Sequence, residues 1–177
     1  MALGISLLAG GCSKQPPAPA NHSSPFRLTA TIQEIMDSEV DPSADFIWDS
    51  VGSIVTKEGT EDKQPRTDEE WKEVRRKAIV MLEATNLLIM DGRRVSAAYL
   101  PPEGEGVFDS RQIQQKIDAN HAGFVAYAGS LHDVGTKMLA AIDARDVKGL
   151  LDNGEALDEV CEACHTTYWY PNQVIPK

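Results

Sequence analysis

Apolar side chains recur at spacings of three and four residues in four stretches of the chain, and nowhere alternate in a sustained way with polar ones. That period predicts helices and no strands. The first stretch covers residues 29–57, through Ile32, Ile35, Met36, Val40, Ile47, Trp48, Val51, Ile54 and Val55. Asp41-Pro42 is expected to kink or restart it, because proline lacks the N–H donor and disfavours helical geometry in the residue before it. The second opens on a capping-box pair, Thr67 and Glu70, and carries Trp71, Val74, Ala78, Met81, Leu82, Thr85, Leu88 and Ile89 before Gly92 ends it. The third is expected as one helix over residues 109–144, through Ile113, Ile117, Phe124, Leu131, Val134, Met138 and Ile142. The fourth starts near Asp146, carries Leu150, Leu151, Leu157, Val160, Cys161 and Cys164, and stops at Pro171. Connections at 59–65, 101–106 and 144–146 are rich in Pro and Gly or short. The expected fold is all-α, an antiparallel four-helix bundle over residues 28–177, whose interior can hold a cofactor.

Residues 1–11, MALGISLLAGG, break this pattern. The apolar run is too short to span a bilayer, which takes about 20 residues in a helix, and fits the core of a secretory signal. Leu8-Ala9-Gly10-Gly11-Cys12 resembles a bacterial lipobox, which makes Cys12 the expected lipidation site and the mature N-terminus. No Lys or Arg precedes the run. Residues 12–27 hold four Pro, several small or polar residues and no acid, and are expected to form an extended tether that cannot repay its ordering entropy. The protein is thus expected in the periplasm, held to a membrane through lipid alone.

Charge sharpens the picture. The net charge is −10, with 17 Lys and Arg against 27 Asp and Glu. Both basic residues of the first 27, Lys14 and Arg27, fall in the tether, so the globular part is more acidic still. A nucleic-acid partner is excluded, because affinity for phosphate comes chiefly from cationic side chains. Three cysteines rule out a disulfide-rich scaffold.

The chemistry concentrates in Cys161-Glu162-Ala163-Cys164-His165, a C-x-x-C-H motif of the kind that attaches a c-type haem. On a helix, residues three and four apart share a face. Cys161 and Cys164 can then form thioethers with the porphyrin vinyl groups while His165 reaches the iron. Other readings of the motif are weaker. Structural zinc calls for four ligands and there is no second cysteine pair, a thioredoxin-like pair needs βαβ context, and a disulfide fits poorly within one regular helix.

A helical chain with C-x-x-C-H near its C-terminus resembles the class II cytochromes c, the group that contains cytochromes c′ and c-556. Met36-x-x-x-Val40-x-Pro42-x-Ala44-Asp45-x-Ile47-Trp48, Thr67-Asp68-Glu69-Glu70-Trp71, Asn86-Leu87-Leu88-Ile89-Met90 and Cys164-His165-Thr166-Thr167-Tyr168-Trp169-Tyr170-Pro171 are similar to an exported proteobacterial branch of it. The resemblance implies a four-helix bundle with haem c on the last helix. Where c′ proteins usually carry Arg or Lys four residues after the haem histidine, this chain has Trp169.

The second axial position separates two functions. A protein ligand there suits single-electron transfer; an open position suits binding of NO or CO. Met36 is the leading candidate, since c-556 proteins supply an axial methionine near the start of their first helix and thioether ligation raises the potential. Packing in the core is the bland alternative for Met36 and the expectation for Met81 and Met138; Met90 lies near a helix end. His121 and His132, eleven apart and nearly on one face, would permit bis-histidine ligation. Trp48, Tyr168 and Trp169 are candidates to line the haem. Arg93 and Arg94 are candidates for its propionates, with an exposed helix-end pair as the default. Asp158, Glu159 and Glu162 put negative charge around the motif and favour a redox partner with a basic docking surface; a homodimer is a further option. With no G-x-S-x-G, H-E-x-x-H or phosphate-cradling glycine loop, an enzyme is not expected. The expected function is that of a monohaem electron carrier with His165 and Met36 on the iron, and the alternative a five-coordinate gas binder.

Overall fold

The computed structural model describes residues 26–171; the expected signal segment, Cys12 and nearly all of the expected tether lie outside the described residues. The fold is mostly helical and compatible with a helical bundle. In chain order it comprises α1 (Ile32–Ile35), a π-helical turn (Met36–Val40), α2 (Asp41–Trp48), β1 (Gly52–Val55), β2 (Thr60–Lys63), α3 (Asp68–Leu88), α4 (Ser110–Ala119), α5 (His121–Ala144) and α6 (Val147–Tyr168).

The first segment departs from expectation twice. The expected restart is present, since α2 begins at Asp41 with Pro42 in its first turn, but it is reached through a π turn with no break in the helical backbone. Proline has no N–H to return to the carbonyl of Ser38, and its ring would press on that carbonyl in a regular α-helix. The helix widens instead, so that the Asp41 N–H reaches back five residues to the Met36 carbonyl, and the backbone stays right-handed helical on both sides. The second departure corrects the all-α expectation. The helix stops at Trp48, and β1 pairs antiparallel with β2 from Gly52↔Lys63 to Val55↔Thr60. Ile54-Val55-Thr56 is β-branched throughout and favours extended backbone, Gly59 takes a φ of 140° in the turn, and the Thr56 N–H closes the turn on the Gly59 carbonyl at 2.7 Å. Ile54 and Val55 lie 50% and 81% exposed, so their helical spacing carried no core meaning.

The expected capping box of α3 is formed, and α1 has an unexpected one. Thr67 accepts from the Glu70 N–H and Glu70 returns to the Thr67 N–H; Thr31 and Glu34 do the same for α1. The α1 N-terminus is tied further where the N–H groups of Ile32 and Gln33 donate to the carbonyls of Arg94 and Val95. The expected single third helix is two, α4 and α5, because Asn120 leaves helical geometry (φ −143°, ψ 58°) and accepts from the Gly123 N–H as the cap of α5. Residues 145 and 146 link α5 to α6: Arg145 adopts a left-handed φ of 53° and Asp146 caps α6 by accepting from the Gly149 N–H. Ile35, Ile47, Met81, Met138, Leu150 and Leu157 form the centre of the core. Burying each contributes about 1.5–3 kcal/mol. Among the described residues no helix is long and apolar enough to cross a membrane.

Candidate functional site

The site lies where α6 parts from α2. Along its C-terminal half α6 is fastened to α5: Tyr168 meets Phe124 and Tyr127 edge-on, with ring centroids 5.7 and 6.0 Å apart, its hydroxyl donates to the Asn120 carbonyl at 3.1 Å, and the Tyr127 and Thr167 hydroxyls lie 3.0 Å apart. Toward α2 the fastening is at Gly154, whose carbonyl accepts from Trp48 Nε1 at 3.0 Å. A Cβ on Gly154 would stand 3.3 Å from the indole, so glycine permits this close approach. Two helical turns further along α6 stands Cys161, followed by Cys164 and His165, and here the two helices are separated by a cleft.

The cleft consists of two adjoining cavities. One, of about 300 Å³, lies between α2, α5 and α6 and includes Cys161, Val40, Ala44 and Leu131 in its wall. The other, of about 220 Å³, is closed by α4 and the 95–110 connection, with Ile32, Val95, Phe108, Ile113 and Ile117 in its wall. Met36, Asp41, Phe124, Cys164 and His165 line both. The covering connection and α4 are pinned to the end of α6, the first where the Phe108 N–H donates to the Trp169 carbonyl at 2.8 Å and the second where Lys116 Nζ donates to the Thr167 carbonyl at 3.3 Å. Ser110 and Leu100 exchange a further pair of hydrogen bonds.

Burial governs the protonation of this wall. It pushes the Cys161 thiol up to about 11, with the charges of Asp41 and Asp158 adding to the effect, and the Cys164 thiol up to about 12, with Cys161 adding. Both sulfurs are therefore neutral thiols near pH 7, and neither is in a disulfide. Burial lowers the His165 pKa, against the opposing pull of Asp41 and Glu162, and favours the neutral imidazole that a metal needs. The imidazole is held by edge contacts with Trp169 and Tyr170, at centroid distances of 5.1 and 5.8 Å. Tyr170 in turn donates to Glu162 at 2.6 Å, and burial followed by that bond raises the tyrosine pKa.

These residues fit a flat, largely apolar metallo-macrocycle. An imidazole on α6 and a thioether on the π-helical turn both border the two cavities, so a disc extending to either side of them would meet mostly apolar walls, with two thiols at its edge. No group of three or more His, Cys, Asp or Glu side chains among the described residues is placed to hold a bare metal ion.

The remaining candidates sort clearly. Trp48 lines the Cys161 cavity, and Tyr168 and Trp169 line the other. Met81 and Met138 are fully buried core. His121 and His132 line neither cavity; His132 Nδ1 lies 2.9 Å from Thr85 Oγ1, which itself donates to the Leu82 carbonyl and so accepts from the ring. Arg93 is neither an exposed helix-end residue nor part of the cleft. It is 9% exposed and donates to the Leu87 and Ala30 carbonyls beside Met90 Sδ, tying the end of α3 to the segment entering α1; Arg94 is exposed. Asp158 and Glu159 are exposed. Sequence reasoning did not single out Asp41, Phe124 or Phe108 as site residues. For Asp41 a signal existed: it precedes a mid-helix proline and follows Met36 by five, the spacing that a π turn brings to one face. Phe108 had none, since its position depends on how an irregular connection folds back. No protein-family model, curated protein or solved structure matches this chain.

Proposed function

We propose that the protein is a four-helix-bundle c-type cytochrome of the class II kind, exported and tethered through Cys12, which passes single electrons. One observation carries this reading: Met36 and His165 border the same two cavities, beside the two thiols of the C-x-x-C-H motif. Cys161 and Cys164 would hold one haem by thioether bonds, and His165 and Met36 would ligate its iron. The haem, when bound, supplies a one-electron Fe(III)/Fe(II) couple. The chain contributes the rest. Trp169 and Tyr170 hold the orientation of the imidazole, burial keeps it neutral, and the apolar faces of α4, α5 and the 95–110 connection exclude water. With its two ligands supplied from elements fixed by the surrounding bundle, the iron would keep the same coordination in both oxidation states, which would minimise the reorganisation that slows electron transfer. Basic partners would be steered by the acidic surface, so electron-transfer rates are expected to fall as salt rises.

The test is the full-length protein made in cells with an intact haem-ligation system. Mass spectrometry is expected to show one haem added at Cys161 and Cys164. Visible spectra are expected to be low-spin with His/Met ligation in the oxidised protein and unaltered by CO in the reduced protein. Met36→Ala is expected to abolish the low-spin signature and admit CO. A product with no added haem ends the reading. A haem-loaded native protein that binds CO freely replaces electron transfer with gas binding.

A further inference from the structure

We infer that the carboxylate of Asp41, assisted by Asp45, sets the reduction potential of the group held between Met36 and His165 by favouring its oxidised state. This rests on the haem reading above and specifies how this chain would poise that centre.

The placement of Asp41 follows from the backbone. In an α-helix the residue one turn beyond Met36 is Val40; the π turn forced by Pro42 shifts the register by one, and the Asp41 N–H bonds the Met36 carbonyl. Asp41 consequently borders both cavities together with Met36, Cys164 and His165, and Asp45, one turn further on, borders the Cys161 cavity. Among the described residues no Lys or Arg lines either cavity, and neither aspartate belongs to an ion pair. Oxidised iron carries one more positive charge than reduced iron. A fixed anion beside it stabilises the oxidised form, and the stabilisation grows as water is excluded. Asp41 and Asp45 are both solvent-exposed at the rim, where water screens them, yet enough protein surrounds the Asp41 carboxyl for desolvation to raise its pKa, with His165 opposing and Asp37 and Asp45 adding. The site is thereby biased to give up its electron rather than to retain it.

The experiment is a spectroelectrochemical titration of the haem-loaded full-length protein at pH 7 and fixed ionic strength. Asp41→Asn is expected to raise the equilibrium constant for reduction about tenfold, which is about 59 mV for one electron, with the absorption bands unchanged. Asp41→Glu, which keeps the charge, is expected to retain the native midpoint, and Asp45→Asn to raise the constant about threefold. An unmoved midpoint in Asp41→Asn with native bands overturns the inference. Should that variant fail to load haem, Asp45→Asn decides: a raised constant upholds the inference and an unchanged one overturns it. Failure of the haem reading is distinct, since it appears as missing haem mass in the unsubstituted protein.

Discussion

The seam between α3 and α5 and the seam between α2 and α6 are built from helices of the same kind, yet one closes on itself and the other does not. At the first, Gly135 lets α3 come so near that a Cβ there would stand 3.0 Å from Leu82 Cδ2 and 3.2 Å from Met81 Cε. Met81 and Met138 are fully buried, the Thr85–His132 bond crosses the interior, and Arg75–Asp143 and Arg145–Asp68 pair outside it at 2.7 and 2.6 Å. At the second, the Trp48–Gly154 bond is the one hydrogen bond between the two helices among the described residues, and beyond it the walls carry two thiols, an imidazole, a thioether and carboxylates. Close packing is the rule for protein interiors. Where apolar side chains could have met, this seam carries thiols, an imidazole and carboxylates, and a cleft stays open between the helices.

The two methionines offer the largest test of that contrast. Met81→Ala should destabilise the chain by about 2–5 kcal/mol, the cost of an unrelieved core cavity, read as a lowered urea midpoint. Met36→Ala in haem-free protein should cost about 1 kcal/mol or less, because its side chain already borders open space. Equal losses would mean that the cleft is ordinary core. Next in size, Trp48→Phe removes the bond to Gly154 and should cost about 1 kcal/mol. It should also raise the reactivity of Cys161 toward a thiol reagent in haem-free protein, because the tie that closes the cleft is lost; unchanged reactivity would show that Trp48 does not hold the seam.

The smallest effect concerns the caps that start a helix on each side. Hydrogen bonds from the Thr31 N–H to Glu34, and from the Arg66 and Thr67 N–H groups to Glu70, lower both carboxyl pKa values below the ordinary 4.5. A depressed folded-state pKa means stabilisation that is complete above the unfolded value and is lost as pH falls through it and the folded value. Urea midpoints should therefore decline more steeply below about pH 5 in the native protein than in the Glu34→Gln, Glu70→Gln double variant. Parallel declines would show that the caps contribute nothing measurable.

Local chemistry made much of this legible. Thr67 and Glu70 announced the start of α3 because a capping box is formed by residues three apart, and the motif on α6 needed only helical spacing to place Cys161, Cys164 and His165 on one wall. The ribbon of β1 and β2 was hidden because Val51, Ile54 and Val55 kept a helical spacing, whereas their β-branching and Gly59 favoured extended backbone. The break between α4 and α5 was hidden because Ile117 and Phe124 are seven apart, so the stripe runs across Asn120 without interruption. Arg93 gave no hint that it would be buried against carbonyls, since its partners, Leu87 and Ala30, include one 63 residues away.

The amino-acid sequence by itself determined the helical character, the starts of α3, α4 and α6 and the presence of two thiols and an imidazole on one turn, because each depends on residues within a few positions of one another. Tertiary structure decided that Met36 and Asp41 border the same two cavities as His165 and that Phe108 lines one of them. Those placements depend on a helix widened at Pro42, on the close approach that Gly154 permits, and on the path of a long connection. Each couples residues remote in the chain, and spacing along a sequence carries no information about such distances.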